Sequence, residues 1–325
     1  DSPEEHFTDT IKAACGLADP NAVWGMTQAA PELVHWLLKL SVQFNMSGYD
    51  DVDLRNFGGQ KKKRTAFAQS DTGKQIMTAM IDAVRRKEGA GMVERFSHHS
   101  FLTLRLCGSV CCGCVIRDEY SQEIVELPGN AVIVASGGMH GLFGNTTGSL
   151  SNTGEVTAEL FRLGVPLANG EMIQYHPTTV ECGGKRMLIS EAARGEGGRL
   201  FALRNNQPWY FMEEKYPELG NLMPRDITAR EIWKVSHESE VFLDMTEISK
   251  EVISNKLSGL ADDCMTYLHK DIRKEPVPVL PGIHYFMGGI LVDEQHRTSI
   301  QNLYAAGECC AQYHGANRLG GNSLL

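Results

Sequence analysis

The chain has 325 residues, a formal charge of −9 at neutral pH, and contents of 42% hydrophobic and 22% charged residues. This length can supply cores for two domains, and the acidic excess argues against nucleic acid as the main partner, because phosphate binding requires a basic face. Apolar runs stay well below the roughly 20 residues of a membrane span, and no signal-peptide pattern is present at the start. Nine cysteines without disulfide-type spacing are typical of a reducing compartment. The composition predicts a cytoplasmic globular protein.

Helical periodicity dominates residues 1–47 and returns after Thr72-Gly73. In the first region, Ala29-Ala30-Pro31-Glu32 predicts a helix start, and the apolar residues that recur at helical spacing after it are Leu33, Trp36, Leu37 and Leu40. The basic run at residues 61–64 is interpreted as a solvated face.

The period becomes extended between Val93 and Val134. A continuous apolar run at residues 131–135 is typical of a buried parallel strand. It leads directly into Ser136-Gly137-Gly138, and the carboxyl ends of strands are where α/β sheets usually meet a cofactor. A further helix is predicted to begin at Asn152-Thr153-Gly154-Glu155.

A cluster of cysteines interrupts the extended region: Cys107, Cys111, Cys112 and Cys114. The CxxC pair allows a metal-binding interpretation. However, alternate residues of a strand point to opposite faces, which separates Cys111 from Cys112 and Cys114 and gives poor geometry for one ion. We favour the interpretation that these cysteines act as small buried hydrophobes.

Polar groups that can hold a small dicarboxylate occur in five separate segments. The segments read QYHPT from residue 174, SEAARGEGG from residue 190, PRD from residue 224, HYFMGG from residue 284, and HGANRLGGNSLL from residue 314. His176, His284, Arg225 and Arg318 supply donors that could hold both ends of the dicarboxylate, and an arginine fork suits two-point contact with a carboxylate. Glycines in the last segment allow close approach of a ligand, and Asn322-Ser323 before Leu324-Leu325 is a plausible helix N-cap.

Together these segments resemble the fumarate reductase/succinate dehydrogenase flavoprotein family, which also includes L-aspartate oxidase. The resemblance implies an α/β, Rossmann-like FAD-binding domain with an inserted α+β capping domain. It places the FAD-binding domain at residues 1–170 and 282–325, and the capping domain at residues 171–281. The strand-GxGxxG-helix that cradles a dinucleotide pyrophosphate is absent from the sequence. The FAD-binding domain is therefore expected to be incomplete, with the chain beginning after that motif and stopping before the family's C-terminal helical domain.

The resemblance also assigns roles to individual residues. Arg225 matches the arginine that supplies a proton to the substrate carbon, with Glu191 and Arg194 feeding it. The residues that match substrate contacts are His176, Ser190, His284, Arg318 and Gly321. The residues that match FAD contacts are Ser136, Gly137, Gly138, Glu155, Glu308, Ser323 and Leu324. No metal ligand is implied. Because a free guanidinium releases its proton only above pH ~12, the role of Arg225 requires neighbouring cations and dry surroundings.

The implied function is FAD-dependent interconversion of fumarate and succinate. The implied partner is an iron–sulfur electron-transfer subunit. This chain is expected to bind no nucleic acid and to have no membrane span of its own. It would reach the inner face of the membrane only through partner subunits. One alternative is L-aspartate oxidase, which residues 224–230 and 297–300 resemble somewhat more. The other is a metal-binding or structural module that uses the cysteine cluster. Expressed alone, the 325 residues are expected to be inactive and to hold FAD poorly.

Overall fold

The computed structural model describes residues 2–49, 51–58, 62–321 and 324. The helices of this part are α1 (Pro3–Ala14), α2 (Pro20–Lys39), α3 (Thr72–Gly89), α4 (His140–Phe143), α5 (Glu155–Arg162), α6 (Glu191–Gly195), α7 (Phe211–Lys215), α8 (Arg225–Ser236), α9 (Lys250–Lys256) and α10 (Ser258–Leu268). Short 3-10 turns occur at Gly220–Leu222 and Gly307–Cys309. None of the helices described here is long and apolar enough to cross a membrane.

The strands carry the sheets on which the polar segments lie. They are β1 (Leu54–Arg55), β2 (Thr65–Ala66), β3 (His99–Cys107), β4 (Val110–Asp118), β5 (Ile124–Pro128), β6 (Val132–Val134), β7 (Leu167–Ala168), β8 (Ile173–Cys182), β9 (Lys185–Leu188), β10 (Arg199–Arg204), β11 (Gln207–Trp209), β12 (Val241–Asp244), β13 (Val277–Pro278), β14 (Leu280–Phe286), β15 (Gly289–Leu291), β16 (Leu303–Ala305) and β17 (Cys310–Ala311).

The predicted helices at the start of the chain are present, but one begins earlier than expected. α2 starts at Pro20, and Pro31 lies inside it. Asp19 supplies a carboxylate that accepts from the Asn21 N–H at 2.9 Å, and proline is favoured at the first helical position. Asp19 and Pro20 together form a stronger helix-start signal than the segment around Pro31. The helix predicted after Thr72-Gly73 is confirmed as α3, which includes both residues.

Strands β3, β4 and β5 form the antiparallel sheet predicted for the extended region. Cys107 and Cys112 form a disulfide across the β3–β4 hairpin. The expectation that the cysteines are unpaired is therefore wrong for these two, because the tight turn that includes Gly108 brings one strand diagonally beside the other. Cys111 is fully buried in an apolar cluster, as the small-hydrophobe interpretation predicts. Two of the four clustered thiols are thus occupied, and the described residues contain no group of three or more metal-ligating side chains.

Strand β6 lies parallel to β16, and both end at the same edge of their sheet. Val134, Leu303 and Ala305 are buried in the cluster that also holds Cys111. Ile133, by contrast, is 69% exposed, so the prediction of a strand buried on both faces is wrong at this residue. Side chains alternate between the two faces of a strand, and Ile133 lies on the face that is not covered. Within the described residues β6 pairs only with β16, so its other edge has no neighbouring strand.

A second apolar core is drawn entirely from residues 180–279. It packs between the sheet β11-β10-β12-β13, the sheet β14-β8-β9 and the helices α7 to α10. This range falls inside the segment predicted as the capping domain, although β14 leads out of that segment while paired with β8. The domain boundaries at residues 170 and 281 stay a prediction.

Candidate active site

Helices α6 and α8 bring the three predicted catalytic residues together. Arg225, at the start of α8, donates from Nε and Nη2 to Glu191 Oε2 at 2.8 and 2.7 Å. The other carboxylate oxygen of Glu191 accepts from the backbone N–H of Gly58 at 2.7 Å and lies 3.4 Å from Nη2 of Arg194. Arg194 is one helical turn after Glu191, so both side chains project from the same face of α6.

This group of charges is dry and carries one more cation than anion. Glu191 and Arg194 are each 2% exposed, and Arg225 is 7% exposed. Burial alone would raise the pKa of Glu191, but the two arginines and the hydrogen bonds from Arg225 and Gly58 outweigh it, and the pKa falls to about 2. Burial lowers the pKa of Arg194. Two buried guanidinium groups that share one carboxylate leave an uncompensated positive charge, which favours an anionic ligand.

Gln174 connects Arg225 to Arg318, although it is absent from the predicted site residues. Its Oε1 accepts from Arg225 Nη1 at 3.0 Å and from Arg318 Nε at 3.3 Å. Its Nε2 donates to the backbone oxygen of Arg318 at 2.8 Å. The alternation of β8 places Gln174, His176 and Thr178 on one buried face, and this period-2 signal could have identified the glutamine.

Arg318 is held against an aromatic ring. It is 5% exposed, and its guanidinium carbon lies 3.7 Å from the ring centroid of Tyr285. Burial, followed by the charge of Arg225, lowers the pKa of Arg318 to about 10. The group remains charged at neutral pH, and stacking fixes the plane of its donors.

His176 and His284, from the paired strands β8 and β14, face each other with ring centroids 5.0 Å apart. Burial lowers the pKa of both rings well below the usual value, with Arg225 the next cause for His176 and His176 the next cause for His284. Both are therefore neutral at pH 7. Nδ1 of His284 lies 2.7 Å from the hydroxyl of Thr147, a residue that the motifs did not indicate.

The remaining predicted substrate residues have different surroundings. Ser190 caps α6 by accepting from the Ala192 N–H at 3.2 Å, which leaves its hydroxyl proton available for donation. Gly321 is exposed, and no described atom lies within 4 Å of the position a Cβ would take there. The predicted close approach of a ligand at Gly321 therefore stays a prediction. The predicted N-cap at Asn322-Ser323 lies outside the described residues.

The predicted FAD contacts that follow β6 and β16 lie at one edge of the sheet. Gly137 has φ +74°, a conformation that favours glycine. A Cβ on Gly138 would lie 2.6 Å from Oε1 of Glu308 and 2.8 Å from the Phe286 ring. Gly138 therefore packs directly against the Glu308 carboxylate and the Phe286 ring, and we call the group formed by Gly137, Gly138 and Glu308 the strand-edge cradle. The Glu308 carboxylate is partly exposed and can accept a hydrogen bond from a hydroxyl such as those of a flavin cofactor.

Three other predicted FAD contacts are not joined to this cradle by the described contacts. Glu155 is the exposed first residue of α5, which begins where the sequence predicts. Leu324 is 46% exposed. Ser323 lies outside the described residues. Their roles stay predictions.

Comparison with known proteins places this geometry in a family. Residues 1–324 match the family described as FAD binding domain. The succinate dehydrogenase flavoprotein subunit of Bacillus subtilis (strain 168) is 41% identical over 334 residues, which cover 100% of this chain and 57% of that protein. The L-aspartate oxidase of Neisseria meningitidis serogroup B is 33% identical over 332 residues, which cover 100% and 64%. A solved mutant of E. coli quinol fumarate reductase has a TM-score of 0.91 at 29% identity, with coverage of 100% and 58%.

The matches confirm the predicted fold class, the predicted family and the predicted cofactor. The chain spans less than two thirds of the length of these relatives. Because the family match extends over almost every residue, this chain belongs to the FAD binding domain family and its cofactor is FAD.

Proposed function

We propose that this chain carries the active site of a flavoprotein subunit that interconverts fumarate and succinate. The observation that carries the proposal is the pair Arg225 and Arg318, which are held by one side chain, Gln174, beside two neutral histidines. A small dianion with two carboxylates matches this arrangement of fixed cations and neutral donors. Similarity to a succinate dehydrogenase flavoprotein subunit supports the same reaction.

Four residues would bind the substrate carboxylates. Arg318 offers two-point contact from a guanidinium whose plane is fixed by Tyr285. Nδ1 of His176 lies 3.2 Å from the backbone N and 3.1 Å from the backbone oxygen of Thr178. The tautomer that accepts this N–H carries its proton on Nε2, which can donate to a carboxylate. His284 and the hydroxyl of Ser190 would provide further donors, and neutral donors avoid adding charge to an already cationic site.

Arg225 would deliver the proton to one central carbon of fumarate. FAD, when bound, supplies hydride exchange at the other central carbon. The surroundings of Arg225 fit this role, because the residue is 7% exposed and its guanidinium is held in one orientation by Glu191 and Gln174. When Arg225 gives up its proton, Glu191 loses the largest of the charge contributions that lower its pKa, while burial continues to raise that pKa. The Glu191 carboxylate can then accept a proton that reaches it from solvent through Arg194, its ion-pair partner at 3.4 Å, and can return it to Arg225 through the 2.7–2.8 Å contacts.

The direct test is an assay of the full-length flavoprotein. Reduced viologen dye should be oxidised on addition of fumarate, and an oxidised dye should be reduced on addition of succinate. Maleate, the cis isomer, serves as a matched control, because it presents the same two carboxylates at the wrong separation. Failure to turn over either C4 acid in a preparation that contains FAD would refute the proposed reaction.

L-aspartate oxidation is the second candidate, favoured by the 33% identical relative and by the resemblance of residues 224–230. Within that stretch, Asp226 accepts from the side chain of Asn317 at 3.0 Å, beside the bridging Gln174. The carboxylate-binding residues would serve both substrates. Formation of iminoaspartate from aspartate at a rate above that of fumarate reduction would favour this candidate over the first.

The electron partner that we propose is an iron–sulfur subunit, and the location is the cytoplasm, with attachment to the inner face of the membrane through partner subunits. Similarity to a protein named as a subunit of succinate dehydrogenase supports this partner. The formal charge of −9 supports only the expectation that no nucleic acid is bound. Co-purification of an iron–sulfur protein with the tagged full-length flavoprotein would support this partner.

The 325 residues expressed alone should purify nearly colourless. The cradle at Gly137-Gly138 and Glu308 would contact only part of FAD, because the sequence has no strand-GxGxxG-helix to supply oriented N–H groups to the pyrophosphate. The open edge of β6, with Ile133 exposed, should also promote association. Absorbance at the flavin maximum and size-exclusion chromatography measure both effects. A monomer with one FAD per chain would contradict this prediction.

A further inference from the structure

His140 is a buried histidine that none of the predicted roles uses. It is the first residue of α4, two residues after Gly138, and is 3% exposed. Its ring meets that of Phe286 edge to face, with centroids 5.1 Å apart. On another side the backbone of Gly148 is so close that a Cβ there would lie 2.3 Å from the imidazole. The position and orientation of the ring are therefore fixed by packing.

Both nitrogens of His140 have partners. Nδ1 lies 2.7 Å from the hydroxyl of Thr146, and Nε2 lies 3.0 Å from Oε1 of Glu308. The Thr146 hydroxyl also accepts from the Gly148 N–H and lies 3.1 Å from the backbone oxygen of Ile283. Its single proton can be given to Ile283 or to His140. When it is given to Nδ1 of His140, the neutral imidazole carries its own proton on Nε2 and donates it to Oε1 of Glu308. When it is given to Ile283, His140 can donate to both partners only as the imidazolium, which also carries a proton on Nε2.

The hydrogen bonds of Glu308 are concentrated on one oxygen. Oε1 accepts from His140 and from the backbone N–H of Phe286 at 3.0 Å, and it lies under the Gly138 backbone. Within the described part of the chain, no donor contacts Oε2. A carboxylate with one oxygen held by two donors cannot rotate freely, so its second oxygen has a defined direction.

We propose that His140 is a positioning residue for FAD: through Nε2 it fixes Glu308 beneath the Gly137-Gly138 turn so that Oε2 accepts a hydroxyl of the cofactor. This inference rests on the proposed role of Glu308 as an FAD contact. It adds a residue outside the predicted site, and it gives Thr146 the secondary role of orienting the imidazole. His140 touches the carboxylate and acts on the cofactor only through it.

Three substitutions in the full-length flavoprotein separate positioning from packing. His140→Gln places an amide near the position of Nε2, so it keeps a donor to Glu308 while losing the contact to Thr146. His140→Asn places its amide near Nδ1, so it keeps the contact to Thr146 and loses Glu308. His140→Leu loses both. For each, the dissociation constant of FAD is measured by reconstitution of apoprotein, together with the melting temperature of that apoprotein.

We expect the FAD dissociation constant to rise roughly 10- to 100-fold in the Asn and Leu variants, as for loss of a hydrogen bond to a charged group. The Gln variant should stay within about 3-fold of wild type, even if its apoprotein melts at a lower temperature. Affinity that follows apoprotein stability across the three variants, with no advantage of Gln over Asn, would overturn the inference.

Glu308→Ala distinguishes failure of this inference from failure of the proposed site. If Glu308→Ala leaves FAD affinity unchanged, Glu308 is not a cofactor contact and its assignment is wrong. If Glu308→Ala weakens binding but His140→Asn does not, only the role of His140 is wrong. In the Glu308→Ala background, His140→Asn should add less than about a 3-fold change, because the two residues are proposed to act in series.

Discussion

Arg225→Lys in the full-length flavoprotein should reduce the turnover of fumarate by roughly 10²- to 10⁴-fold, the usual contribution of a positioned general acid. Lysine keeps the positive charge, but it cannot reproduce the simultaneous contacts of Nε and Nη2 to Glu191 and of Nη1 to Gln174. The Michaelis constant should change by only about 3-fold, since the lost interaction is made mainly in the transition state. Steady-state kinetics with a viologen dye measures both quantities.

Arg318→Lys is the matched control, because it removes the other guanidinium that contacts Gln174. We expect its main effect on binding, with the Michaelis constant rising about 10- to 100-fold as two-point contact to a carboxylate is lost. The reverse pattern, with Arg225→Lys affecting binding and leaving turnover near that of wild type, would make Arg225 a binding residue and would refute the proton route.

The sequence predicted the local elements better than their partners. α3 and α5 begin where Thr72 and Glu155 indicate, and the strands of the extended region are present. The disulfide between Cys107 and Cys112 was missed because it depends on a diagonal register across a hairpin, which spacing along the chain does not specify. The exposure of Ile133 was missed for a similar reason: an apolar run indicates burial but not which neighbouring strands cover it.

Resemblance of motifs predicted the residues of the candidate site, but the motifs did not indicate which other residues hold those side chains in place. Arg225 is distant in sequence from Glu191 and Arg194, yet it lies within hydrogen-bonding distance of the carboxylate that also forms an ion pair with Arg194. Gln174 is part of a quoted motif, but its role is visible only when both arginines are seen to share its Oε1. His140 lies outside every quoted motif, because its significance comes from Glu308, far away in the sequence.

Glu191→Gln should destabilise the folded flavoprotein by about 3 kcal/mol at neutral pH, and the effect should depend on pH. Folding lowers the pKa of Glu191 from 4.5 to about 2. A pKa difference of this size corresponds to about 3 kcal/mol in the free energy of unfolding. A carboxylate whose pKa is depressed contributes stability above its unfolded pKa, and that stability is lost as the pH falls through the folded pKa. The difference between wild type and variant should therefore be largest near pH 7 and should fall to about half or less by pH 3.

Glu213→Gln provides a control for loss of an ion pair at the surface. Glu213 and Arg199 are 2.6 Å apart, but their side chains are 37% and 40% exposed, so solvent screening should limit the cost to about 0–1 kcal/mol. Removing Glu191 instead leaves Arg194 and Arg225 buried without their shared anion, and breaking a buried pair costs about 3–5 kcal/mol when one charge is left uncompensated. Urea unfolding of both variants between pH 3 and pH 7 compares them directly. Equal costs with the same pH profile would show that Glu191 does not neutralise the buried arginines, and the charge balance proposed for the active site would then be wrong.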